Sequence, residues 1–182
     1  MKTTSRLALI CSLVLLSMPA AASADGFINP YLGVNFAGDT TERSTIYGAA
    51  IGYIGQNGGF ELDFGYTPKF YSVEEAGVDG KVVTAMANFL LGGRRSGFAP
   101  YLALGAGVIR TNVQDDLLDL DEAKNSLGWN GGIGAFMGGG GFTVRADVRY
   151  FRAFDYEGFD DFDITSDKLS FWRGTIGVGL MW

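Results

Sequence analysis

The chain has 182 residues, 28 of them glycine, with 14% aromatic residues, no histidine, a single cysteine and a formal net charge of −6. The length suits one domain. The absence of histidine excludes histidine-based triads and histidine-ligated zinc, and the acidic balance argues against nucleic acid as a partner.

Residues 1–24 read as a secretory signal. Lys2 and Arg6 precede an apolar run from Leu7 to Leu16, and small residues close the stretch at Ala22, Ser23 and Ala24, so cleavage is expected before Asp25. The run is too short for a transmembrane anchor. Cys11 lies inside it behind Ile10, which is the wrong place for a lipidated cysteine, and it leaves with the signal. The exported chain, 25–182, then has no cysteine and no disulfide framework. Loss of Lys2 and Arg6 leaves 12 Lys and Arg against 20 Asp and Glu, a net charge of −8.

From there on, apolar residues recur at every second position in eight stretches, the period of a strand with one apolar face. The first, INPYLGVNFAG, sets Pro30, Leu32, Val34 and Phe36 against Tyr31, Gly33 and Asn35. TIYGAAIGYIG sets Tyr47, Ala49, Ile51 and Tyr53 against Gly48, Ala50 and Gly52, and GFELDFGYT sets Phe60, Leu62, Phe64 and Tyr66 against Glu61, Asp63, Gly65 and Thr67. KVVTAMANFLL is the least regular, with Val83, Ala85, Ala87, Phe89 and Leu91 against Val82, Thr84, Met86 and Asn88. FAPYLALGAGVI and LGWNGGIGAFM continue the pattern, with Tyr101, Gly105, Asn130 and Gly134 on their more polar side. In GFTVRADVRYF the apolar register (Phe142, Val144, Ala146, Val148, Tyr150) faces away from Arg145, Asp147 and Arg149. The last stretch, FWRGTIGVGLMW, sets Trp172, Ile176, Val178, Leu180 and Trp182 against Arg173, Thr175 and two glycines.

The connections alternate in length. Tight turns are expected at 56–59, 94–97 and 138–141, where Gly and Asn supply positive φ angles, and longer loops at 38–44, 72–80, 114–125 and 155–168. Short turns at one end and long loops at the other predict an all-β fold: an eight-stranded antiparallel up-and-down transmembrane β-barrel occupying 25–182. A soluble eight-stranded barrel would alternate too, but with its apolar face inward. Here the polar register carries Glu61, Asp63, Arg145, Asp147, Arg149 and Arg173, three acids and three bases. In a narrow lumen such charges must pair, because an isolated buried charge costs several kcal/mol. The expected pairs are Asp147 with Arg173 on the adjacent strand, and Glu61 and Asp63 reaching across to Arg145 or Arg149. Aromatic residues near the ends of the apolar faces suit the girdles of a lipid-facing wall.

An exported barrel whose final strand alternates apolar residues and closes on an aromatic resembles the outer-membrane proteins of Gram-negative bacteria. It is most similar to the small eight-stranded outer membrane protein β-barrel group, which includes the transmembrane domain of outer membrane protein A and the opacity proteins. The resemblance implies residence in the cell outer membrane, with lipid and lipopolysaccharide as surroundings. It also implies insertion by the barrel-assembly machinery, which would read Ile176, Val178, Leu180 and Trp182. No peptidoglycan-binding domain is expected after the barrel. Eight-stranded lipid A palmitoyltransferases and deacylases share the size but use a histidine, so no enzyme activity, catalytic residue or cofactor is expected. Glu61 and Asp63 are candidates for a carboxylate pair doing acid–base work, but lumen ion pairing with Arg145 and Arg149 is the favoured reading. A narrow pore or a conduit for small apolar molecules, as in barrels similar to outer membrane protein W, is the competing function. The last three long loops hold 14 of the 20 acids, a solvated surface or a place for divalent cations such as Ca²⁺, though their spacing matches no calcium loop and names no metal ligand.

Overall fold

The computed structural model describes residues 25–40, 43–73, 78–93, 97–115, 120–139, 141–154 and 169–182. The expected signal at 1–24 and the acidic loop at 155–168 lie outside the described residues. Eight strands follow in order: β1 (Asp25–Gly38), β2 (Ser44–Ile54), β3 (Gly58–Val73), β4 (Val78–Gly92), β5 (Phe98–Asp115), β6 (Leu120–Gly139), β7 (Phe142–Ala153) and β8 (Ser170–Met181). Each pairs antiparallel with its neighbours, and β1 pairs with β8 to close the barrel.

Closure satisfies the backbone groups that an open edge would leave bare, the condition for crossing hydrocarbon with strands. Beyond the β1–β8 ladder, two further backbone hydrogen bonds extend the seam to the chain end. Gly26 N–H donates to the Trp182 carbonyl at 2.9 Å, and Trp182 N–H donates to the Gly26 carbonyl at 3.0 Å. A Cβ on Gly26 would come within 2.8 Å of the Trp182 indole, so the glycine leaves the ring room to lie across the first strand. The strands are staggered. Following cross-strand partners from Phe27 leads through Gly52, Glu61, Asn88, Gly105, Asn130 and Phe151 to Phe171. Phe171 then returns to β1 at Gly38 rather than Phe27. That offset tilts every strand and fixes a narrow interior.

The period-two pattern reports the two faces directly. Outward Ile133 and Ile176 are 63% and 60% exposed, whereas inward Glu61 and Arg149 are 0% exposed. The charges are inside and the branched aliphatics outside, the inverse of a soluble barrel. The outward aromatics form two levels. Tyr53, Phe60, Phe89, Phe142 and Trp182 lie toward the short turns. Tyr47, Tyr66, Trp129, Tyr150 and Trp172 lie toward the long loops, where Trp129, Tyr150 and Trp172 meet in sequence, edge-on and then tilted, with centroids 5.7 and 5.3 Å apart.

Two connections differ from the sequence expectation. The loop expected at 114–125 is largely strand, since β5 runs to Asp115 and β6 starts at Leu120, and in the loop expected at 72–80 the β3–β4 ladder reaches Val73 and Val78. Above an apolar wall both faces of a hairpin meet water, so alternation vanishes from the sequence while the backbone ladder continues. At the other end, Gly97 and Gly141 take φ of 81° and 102°, a region that side chains with a Cβ rarely adopt. The β2–β3 turn does without this: no residue of 55–59 has positive φ, and the reversal is held by Gly55 N–H donating to the Gly58 carbonyl at 2.8 Å.

Candidate functional site

The inward register of β3, β7 and β8 brings six ionised side chains to the middle of the lumen. Glu61 and Asp63 enter from β3, Arg145, Asp147 and Arg149 from β7, and Arg173 from β8. Arg149 Nη1 donates to Glu61 Oε1 at 2.8 Å and Nη2 to Asp147 Oδ2 at 3.0 Å. Arg145 Nη2 lies 2.6 Å from Glu61 Oε2 and 2.9 Å from Asp147 Oδ2. The two arginines thus share the same two carboxylates. Arg173 Nη2 donates to Asp63 Oδ1 at 2.7 Å.

The pairing differs from the expectation in one respect. Asp147 lies opposite Thr175, from whose hydroxyl it accepts a hydrogen bond at 3.1 Å, and Arg173 lies opposite Arg149. Register therefore sets two cations side by side on β7 and β8. Like charges at such positions repel, and the two guanidiniums turn to different acids: Arg149 to Glu61 and Asp147, Arg173 across the lumen to Asp63.

Neutral polar groups extend the network. Asn130 donates to Asn88 Oδ1 at 2.7 Å, and Asn88 donates to Glu61 Oε1 at 2.9 Å. Tyr101 accepts from Arg145 Nε at 2.7 Å and donates to Asp147 Oδ2 at 2.9 Å, so one hydroxyl orients a cation and an anion together. Arg145 Nη1, Arg149 Nε and Arg173 Nε have no hydrogen-bond acceptor among the described residues. Aromatic faces take over part of that role: Arg145 lies 5.0 Å from the Phe136 centroid and 5.3 Å from Tyr101, and Arg173 lies 4.3 Å from Phe151.

Glycines make the space. A Cβ on Gly65 would meet Thr84 Oγ1 at 2.7 Å and Arg173 Nη1 at 3.0 Å, and one on Gly134 would collide with the Tyr101 hydroxyl. Apolar side chains lie above and below the charges, where the alternation alone assigns nothing. Toward the short turns, Phe27, Ile54, Leu90, Tyr101 and Phe136 pack together, and toward the long loops Phe70, Val82, Ile109, Phe151 and Phe171 do the same. Phe151 and Phe171 stack at 5.1 Å with ring planes 2° apart. The charged layer is therefore enclosed between two apolar plugs. The positions of Phe136, Phe151 and Phe171 in the polar registers of their strands were the available signal for this.

Ile176, Val178, Leu180 and Trp182 all face outward on β8, with exposures from 48% to 69%, and none touches the lumen network. Among the described residues no group of three or more His, Cys, Asp or Glu is placed to hold a metal. Glu74, Glu75, Asp116, Asp119 and the acids of 155–168 lie outside the described residues.

Comparison with known proteins places this arrangement. Neisserial surface protein A aligns over 87% of this chain and 97% of its own, with a TM-score of 0.63 and 15% identity. Ail, the attachment invasion locus protein of Yersinia pestis, aligns over 88% and 99%, with a TM-score of 0.58 and 15% identity. The N-terminal β-barrel domain of Pseudomonas aeruginosa OprF aligns over 87% and 97%, with a TM-score of 0.53 and 19% identity. At these identities the likeness is one of fold. No curated protein matches the chain in sequence. The family model of the outer membrane protein beta-barrel domain matches residues 8–182, and the chain belongs to that family.

Proposed function

We propose that this chain is a non-enzymatic outer-membrane barrel with a structural or surface-interaction role, exported by cleavage of 1–24 and closed to solutes by its own interior. The observation that carries the reading is the charged layer that crosses the lumen between two apolar clusters. Three guanidiniums and three carboxylates join at 2.6–3.0 Å, with a phenylalanine cluster on either side. Eight strands enclose a space that side chains can fill, and here buried arginine, tyrosine and phenylalanine occupy it. Glu61 and Asp63 are both engaged by guanidiniums, which argues against a free acid–base pair.

A surface role is in keeping with the similarity to Ail, whose name describes attachment and invasion and which has been solved with the heparin analogue sucrose octasulfate. The acid-rich loops of this chain do not favour such a sulfated ligand, and fit divalent cations better. The outward row Ile176, Val178, Leu180 and Trp182 is, in this reading, what the assembly machinery recognises. Planar-bilayer recording on the refolded protein tests the closed lumen. A silent or only rarely flickering bilayer is the expected result, and steady ohmic steps at every insertion would establish the narrow pore instead.

A further inference from the structure

Beyond residue 24 the chain has a net charge of −8, yet five of its 12 Lys and Arg, namely Arg43, Lys69, Lys81, Arg110 and Arg152, point outward at one level of the wall. The register fixes this. Arg43, Lys81, Arg110 and Arg152 each stand two residues beyond Thr45, Val83, Val108 and Tyr150 on the same outer face, in the direction of the long loops. Lys69 stands just past outward Tyr66, where the β3–β4 register shifts. Neighbouring strands bring them into a row: Val83 pairs with Arg110, Lys81 with Asn112, and Arg152 with Trp129 of the aromatic ladder. Arg43, Lys69, Arg110 and Arg152 are exposed.

The arc covers β2 to β5 and β7. It stops at the β8–β1 seam, where Asp39 accepts from the Ser170 N–H at 2.6 Å and from its hydroxyl at 3.1 Å. At the short-turn end, by contrast, the outward rows of described residues carry Phe60, Phe89, Phe98, Phe142 and Trp182 and no Lys or Arg. Among the described residues the wall is thus graded toward the long loops, from aliphatic band through aromatic girdle to cations; Arg94 and Arg95 of the 94–97 turn lie outside them.

We propose that this arc binds the phosphate groups of lipids in the outer leaflet. The cations stand one step above the tyrosines and tryptophans that mark the interface, which is where phosphorylated headgroups lie. Guanidinium groups pair with phosphate through two parallel hydrogen bonds, and long Lys and Arg stems keep contact with the apolar band while the charge reaches out. Asp79 stands in β4 two residues beyond Lys81, and 14 of the 20 acids fall in the last three long loops. The charge layers of the protein thereby match a lipid that is apolar below and anionic at the boundary.

The inference rests on placement of the wall in the outer membrane and is independent of whether the lumen conducts. The test is co-purification. The full chain, refolded in neutral detergent, is equilibrated with lipid A or enzymatically dephosphorylated lipid A, washed and scored for bound lipid by native mass spectrometry. A second chain carries Arg43→Gln, Lys69→Gln, Lys81→Gln, Arg110→Gln and Arg152→Gln. The parent should retain the phosphorylated lipid at least about tenfold better than the dephosphorylated one, and the five-fold variant should lose that preference. If the variant does not refold, the parent alone decides: 0.5 M salt must abolish the preference, and inorganic phosphate equimolar with the lipid must leave it intact. Equal retention of the two lipids by the parent, an undiminished preference in the folded variant, or displacement by equimolar inorganic phosphate would overturn the proposal.

Discussion

Replacing Arg145 and Arg149 together by alanine probes the interior most directly. Each guanidinium lies within 3.0 Å of both Glu61 and Asp147, so either arginine alone still leaves each carboxylate one cation. With both removed, Glu61 keeps the Asn88 amide, and Asp147 keeps the Tyr101 and Thr175 hydroxyls. Stranding one buried charge costs about 3–5 kcal/mol. Two stranded carboxylates set a ceiling of about 10 kcal/mol, and water entering the vacated space lowers this to on the order of 5 kcal/mol. Each single variant should cost roughly 1–2 kcal/mol, since its carboxylates remain paired. With a urea slope of about 1–3 kcal/mol per molar, the midpoint of the double variant should fall by roughly 2 M or more. Unfolding in lipid vesicles followed by tryptophan fluorescence measures it, and bilayer recording on the same protein should show new conductance. A double variant no worse than the sum of its singles would refute the shared-carboxylate arrangement. Adding Glu61→Gln and Asp147→Asn to the double variant should recover much of the loss, because the charges left behind cause it.

Three further outcomes follow from other parts of the wall. Gly65→Val should push Arg173 away from Asp63 and lower stability by about 1–3 kcal/mol in the same titration, whereas Gly174→Val, where a Cβ would find only Phe36 Cε1 at 3.4 Å, should change little. Ile176→Arg, in the middle of the outward aliphatic band, should cost about 2–4 kcal/mol in vesicles, and an undisturbed midpoint would contradict burial of that face in lipid. Trp182→Ala should reduce the heat-modifiable folded fraction recovered from outer membranes and leave more periplasmic degradation product; equal recovery would remove Trp182 from any role in assembly.

The architecture was readable because each strand carries its own two-residue alternation, and one good stretch such as Phe142–Tyr150 sets the phase for its neighbours. The charged register was readable for the same reason. What the alternation does not contain is the offset between strands, and so Arg173 was matched to its near neighbour Asp147 rather than to Asp63 across the lumen. The strand ends were misread where polarity on both faces removes the period, as in TNVQD and LDEAKN, although the ladder from Val113–Glu122 to Asp115–Leu120 continues. Tyr101 gave no signal of its bridging role, because a tyrosine in a strand looks alike whether its hydroxyl meets water or two buried charges. The basic arc was equally hidden, since its five members are scattered from position 43 to 152 and meet only on the closed wall.

The pair joining Arg173 on β8 to Asp63 on β3 bears on how the barrel selects its own closure. Sliding β8 along β1 by two residues would preserve every apolar-out, polar-in assignment, so lipid would accept the wrong alignment as readily as the right one. Such a slip would move Arg173 along its strand by about 7 Å, beyond the 2.7 Å contact with Asp63, and leave both charges in the interior without each other. The hydrocarbon face tells β8 only which side to turn; the carboxylate waiting across the lumen tells it how far to travel. The interior charges act in this way as a proofreading device, one that registers an error only when the last strand is being zipped into place.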